Sequence, residues 1–147
     1  MDETGLKILK ILQEKARIPN VEVARQVGMA PSAVLERIRK LENQGYINGY
    51  EVILDPEKFN RNIIAFIHVY VEKNLNAGDE IAKIDDVQEV HYLTGVDCFF
   101  VKVRVKDNSE LDSLIRKKIS SIKGVKSTKT SIAVSTFKET SRIPIEL

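Results

Sequence analysis

The chain has 147 residues, 43% of them hydrophobic, enough to bury a core in one or two small domains. A single cysteine, Cys98, excludes an intrachain disulfide and fits a reducing cytoplasm. No apolar run approaches the ~18 residues of a membrane span, and no signal peptide is expected.

The pI near 8.6 is mildly basic. Residues 1–50 hold 8 Lys/Arg against 6 Asp/Glu, a surplus of +2, whereas residues 51–147 hold 15 of each. The surplus therefore sits on the N-terminal part, where a nucleic-acid contact would use it.

Residues 4–16, TGLKILKILQEKA, predict a first helix with Leu6, Ile8, Leu9, Ile11, Leu12 and Ala16 on a broad apolar face. Asn20 to Val27 predicts a shorter one, with Val21, Val23, Ala24 and Val27 apolar and Asn20 as N-cap. Gly28, Met29 and Ala30 form a tight connection. Pro31 to Gly45, PSAVLERIRKLENQG, is a third helix: Pro31 suits its first turn, and Val34, Leu35, Ile38 and Leu41 make its buried stripe. Gly45 ends it.

A short helix, a turn opening on glycine and a longer helix with small N-terminal residues is the pattern of a helix-turn-helix. Its second helix enters the major groove. Ser32, Ala33 and Glu36 then face base edges, while Arg37, Arg39 and Lys40 meet phosphates. Two uses of Glu36 stand open: accepting from a cytosine amino group, or pairing with Lys40 one turn on.

Tyr46-Ile47-Asn48-Gly49-Tyr50 predicts a hairpin with a type I′ turn, completing a winged helix-turn-helix over residues 1–50. A linker strand follows over 51–60, interrupted at Pro56.

From 61 to 147 strand and helix alternate. Ile63–Val71 reads as a strand covered on both faces, Ala77–Ile84 as a short helix after an Asn/Gly loop, and Val87–Leu93 and Phe99–Val105 as strands. Asn108–Ile122 reads as a helix presenting Leu111, Leu114, Ile115, Ile119 and Ile122. Val125–Phe137 is the last strand. The order βαββαβ predicts a ferredoxin-like domain, so the fold class is α+β.

Gly95 in the loop Thr94–Cys98 brings flexible backbone N–H groups, and Asp97 is the only charge there. Thr128 and Thr130 share one face of the last strand. Together with Val96 these residues make a candidate effector site, Asp97 pairing with a ligand ammonium group. Alternatively Asp97 merely stabilises its turn, and the threonines are plain strand residues.

His68, His91, Asp97 and Cys98 lack ligand spacing, so no metal and no other cofactor is expected. No phosphate-cradling glycine loop, nucleophile elbow or catalytic carboxylate pair occurs, so no catalytic residues are assigned.

LKILKILQEKARI through VEVARQVGMAPSAVLERIRKLENQGYINGY resembles the leucine-responsive regulatory protein family (Lrp/AsnC, the feast/famine regulators). VHYLTG and GVKSTKTSIAV are similar to its C-terminal domain. The resemblance implies a transcriptional regulator of double-stranded DNA, dimers that assemble into octamers, and an amino-acid effector bound between dimers.

Three features depart from the family pattern. Ala30 stands where Ser or Thr precedes the helix-opening proline. Gly5 replaces an acidic residue. Gly95-Val96-Asp97-Cys98 replaces Gly-Asp-Tyr-Asp. The altered loop keeps an alternative open: an architectural, nucleoid-type protein that wraps DNA without ligand response.

Overall fold

A computed structural model describes residues 1–72 and 76–147, in two compact units. One unit comprises Met1–Ile53 with Glu139–Leu147; the other is Leu54–Lys138.

The first unit is helical: α1 Glu3–Glu14, α2 Asn20–Val27 and α3 Pro31–Asn43. Ile8, Leu12, Val23, Ala24, Val34, Ile38 and Leu41 interlock as its core. Asp2 caps α1, its carboxylate accepting from the Gly5 N–H at 2.9 Å. Gly28 (φ 70°) and Gly45 (φ 74°) stop α2 and α3 in the left-handed region. After each glycine the next N–H reaches back five residues: Met29 donates to the Ala24 carbonyl, Tyr46 to that of Leu41.

The structure corrects several sequence expectations in this unit. α1 ends at Glu14, leaving Ala16 exposed. Pro19, not Asn20, occupies the cap of α2, and Leu35 is 37% exposed. The hairpin over Tyr46–Tyr50 is not formed: no strand spans these residues, and neither Asn48 nor Gly49 has the positive φ that a type I′ turn needs. The N–H groups of Tyr46 and Ile47 bond the Leu41 carbonyl at 2.9 and 3.4 Å, closing α3 instead of opening a ladder.

The linker expected as a strand over 51–60 also differs. Val52, Ile53 and Leu54 have no ladder partner among the described residues and are exposed, and Pro56–Phe59 is a 3₁₀ turn capped by Asp55.

Residues 139–147, expected in the C-terminal domain, pack with α1. Gln13 brackets the Ile143 backbone, donating to its carbonyl at 2.7 Å and accepting its N–H at 2.9 Å. Arg142 bonds the Glu14 carbonyl at 3.3 Å. With this tail the helical unit holds 9 Lys/Arg (8 through residue 53, and Arg142) against 9 Asp/Glu (7 through residue 53, Glu139 and Glu146). The unit is therefore neutral by side-chain count.

The second unit is an antiparallel sheet of β1 Ile63–Val71, β2 Val87–Leu93, β3 Cys98–Val105 and β4 Val125–Ile132, ordered β2-β3-β1-β4. With α4 Ala77–Ala82 and α5 Asn108–Ser113 it has the ferredoxin-like βαββαβ order. Part of the Asn/Gly loop expected before α4 lies outside the described residues. α5 continues as a π-helical segment, Leu114–Ile119, in which Ser120 donates to the Ile115 carbonyl at 2.8 Å. The wider turn still buries both Leu114 and Ile119.

Ala65, Ile67 and Val69 of β1 join Phe99, Val101 and Val103 of β3 in the core that includes Leu111, Leu114 and Ile119. The sequence predicts cover on both faces of β1, and the chain supplies it on one. The other face, with Phe66, His68 and Tyr70 beside Phe100, is only half-buried. β4 is shorter than expected, ending at Ile132, after which a last bond from the Ala133 N–H to the Ile64 carbonyl, at 2.9 Å, ties the chain to β1.

Candidate DNA interface and effector site

α3 begins without a side-chain cap: Ala30 occupies the cap position, and Ser32 does not replace the missing hydroxyl. Ser32, Glu36, Arg39 and Lys40 are exposed, and Ala33 is half-buried. Glu36 and Lys40 form no ion pair among the described residues.

Arg37 differs from the neighbouring cations. Its Nη1 donates to both oxygens of Asp2, at 2.8 and 2.6 Å. The sequence makes Arg37 a phosphate contact; the structure ties it to the cap of α1. The Arg37 guanidinium, and after it the Gly5 N–H, holds the Asp2 carboxyl below the usual carboxylate range. Beside the pair lies a groove of about 540 Å³, bordered by Asp2, Ala33, Glu36, Arg37, Lys40 and Tyr46. Sequence reasoning missed Asp2, although an aspartate just before the first helix is a capping signal; nothing local signals its partner 35 residues away.

Beyond α3, Tyr50 donates its hydroxyl to Glu42 Oε1 at 2.8 Å. Burial, reinforced by that carboxylate, pushes the Tyr50 phenol up to about 12.

In the second unit, the turn between β2 and β3 contains two left-handed residues, Gly95 (φ 90°) and Asp97 (φ 47°). Asp97 and Val96 are exposed. The Tyr92 hydroxyl donates to Asp97 Oδ1 at 3.5 Å, and the Tyr92 ring meets Phe99 edge-on at 5.3 Å. Sequence reasoning missed Tyr92, although it lies only two residues before Thr94. Burial, with the Asp97 charge second, raises the phenol of Tyr92. The same two causes raise the Cys98 thiol, and Cys98 packs as a buried apolar residue.

Thr128 pairs with Val69 and Thr130 with Ile67, so the two threonines share a face. That face is on β4, at the opposite edge of the sheet from β2. Asp97 leads directly into β3, whose Cys98 pairs with Tyr70 of β1, which in turn pairs with Ser127 of β4. β1 therefore lies between, and the separation is two strand spacings, roughly 10 Å. One chain therefore does not bring Asp97 together with Thr128 and Thr130.

His68 stacks edge-on against Phe100 at 4.9 Å, and His91 lies 3.8 Å from Glu89. Among the described residues no group of three His, Cys, Asp or Glu side chains is placed to hold a metal ion. No helix there is long and apolar enough to cross a membrane.

A helix-turn-helix with an exposed, cation-bearing second helix, followed by a ferredoxin-like sheet, defines a DNA-binding regulator with a ligand-binding domain. Comparison with known proteins agrees. The family described as "Winged helix-turn-helix DNA-binding" matches residues 1–48, and "Lrp/AsnC ligand binding domain" matches residues 64–143. The HTH-type transcriptional regulator FL11 of Pyrococcus horikoshii is 38% identical over 148 residues, 99% of this chain and 97% of that protein. The leucine-responsive regulatory protein of Klebsiella pneumoniae is 30% identical over 151 residues, 99% of this chain and 92% of that protein. Among solved structures, a transcriptional regulator of Neisseria meningitidis in complex with L-Met superposes with a TM-score of 0.91 at 30% identity, covering 98% of this chain and 96% of that one. The chain belongs to the Lrp/AsnC family of transcriptional regulators.

Proposed function

We propose that this regulator reads double-stranded DNA through Ser32, Ala33 and Glu36, with Arg39 and Lys40 on phosphates, and that an amino acid bound between dimers modulates it. The observation that carries this reading is the exposed face of α3, two small residues followed by unpaired cations among the described residues. Asp97 is the residue that pairs with the effector's ammonium group, beside Gly95 and Val96. Thr128 and Thr130 complete the site from another chain, because their own sheet separates them from Asp97. A homodimer is the minimum assembly and an octamer the larger one: a neutral DNA-binding unit gains useful affinity by linkage to others. The protein acts in the cytoplasm, where its DNA is, and has no catalytic activity of its own.

A thermal-shift screen of the twenty amino acids, followed by DNA titration with and without each hit, tests the reading. One amino acid raises the melting temperature, since a ligand of the folded state must do so, and shifts DNA affinity. DNA binding with no hit at all favours the architectural alternative, in which the Gly95-Val96-Asp97-Cys98 loop has lost its ligand.

A further inference from the structure

Among the described residues, Arg37 carries an ion-pair partner, while Arg39 and Lys40, on the same helix, carry none. Its partner is an anion, Asp2. Both Asp2 oxygens accept from the single Nη1 of Arg37, at 2.8 and 2.6 Å, which leaves its Nη2 and Nε outside the pair. The side chains are 38% and 55% exposed, so water reaches the pair and little holds it against a competing anion. The groove beside it opens along Ala33, Glu36 and Lys40, the residues read above as DNA-facing.

We propose that Asp2 is a resident stand-in for a DNA phosphate: it holds Arg37 in the free protein and yields it to the DNA backbone on docking, and so sets how tightly each domain grips DNA. This rests on the reading of α3 as the DNA-facing helix. Asp2 is ionised at neutral pH, so the competitor is always present. Releasing Arg37 does not cost α1 its cap, because Asp2 Oδ1 also accepts from the Gly5 N–H. The charge balance makes a single cation consequential. With 9 positive and 9 negative side chains in the unit, affinity rests on a few phosphate contacts, and Asp2 withholds one.

The experiment titrates the full-length protein with a fluorescent duplex of random sequence at several salt concentrations. Asp2→Asn removes the charge but retains a strong helix cap. The variant is expected to bind roughly five- to tenfold more tightly at 0.1 M salt, with a log–log salt slope steeper by about 0.9, as one more neutralised phosphate requires. In the Arg37→Ala background Asp2→Asn has no effect, because the gain passes through Arg37. A gain that survives in that background is general removal of negative charge and overturns the proposal. Unchanged or weakened binding by Asp2→Asn also overturns it, making the pair a brace between α1 and α3. If Asp2→Asn lowers the melting temperature, Asp2→Ser, another capping residue, supplies the same comparison. Arg39→Ala/Lys40→Ala is the control on the underlying reading: if it too leaves binding intact, α3 is not the DNA-facing helix.

Discussion

Tyr50 and Asp97 are each tied by one side-chain hydrogen bond, to Glu42 and from Tyr92. The Tyr50 phenol is raised from 10.0 to about 12, so its neutral form is favoured in the folded state. A group with a raised folded value contributes stability that is fully present below its unfolded value and is lost as pH rises through about 12. Ultraviolet titration should therefore show one of the 4 tyrosines ionising near 12, and Tyr50→Phe should remove that step. Asp97 is exposed and left-handed, and its side chain accepts a long bond from Tyr92. Asp97→Ala should abolish the effector's influence on DNA binding while leaving the protein folded, because the turn lies outside the buried core. Calorimetry decides this, and wild-type effector affinity in the variant would count against the assignment.

At the scale of elements, α4 is held to the sheet by the absence of a side chain. A Cβ on Gly78 would come within 2.6 Å of Phe99 Cε1, inside a core where Phe99 is 5% exposed. Gly78→Ala gains about 1 kcal/mol of helix propensity but overpacks the core by roughly 1–3 kcal/mol. The clash is with a ring pinned between β2 and α4, so a net loss is expected, read as a lower urea midpoint. On α3, Arg39→Ala/Lys40→Ala should weaken binding on every DNA sequence alike and flatten the salt slope by about 0.9 for each phosphate no longer neutralised. Sequence preference should be retained, because Ser32, Ala33 and Glu36 are untouched.

For the whole molecule, the sheet face away from α4 and α5 matters most. Phe66 stacks on Phe100 at 5.5 Å, and His68 Nδ1 is buried without a hydrogen-bond partner among the described residues. An aromatic, half-buried face of this kind suits a second copy of the chain. Phe100→Asp should convert dimers to monomers at micromolar concentration in sedimentation equilibrium, while the wild type remains dimeric or larger. DNA affinity should fall with it, since linked domains raise one another's effective concentration.

The helices, the strands and the family were legible in the sequence because each rests on local signals. Val34, Ile38 and Leu41 repeat at helical spacing, Gly28 and Gly45 supply the left-handed stops, and Ile63–Val71 is the apolar, β-branched run of a strand. Three features were decided only by tertiary structure. The predicted hairpin after α3 gave way because the N–H groups of Tyr46 and Ile47 found the Leu41 carbonyl, and a turn signal cannot weigh that competitor. The tail from Glu139 joined the helical unit through Gln13 and Arg142, contacts spanning about 130 residues that no window of sequence can pair. Asp97, Thr128 and Thr130 were grouped by chemistry, but strand order sets β1 between β3, which Asp97 leads into, and β4, which carries the threonines. Periodicity and capping act within a few residues of the chain, whereas strand order, ion pairs such as Asp2–Arg37 and the closing of a site depend on which distant segments meet.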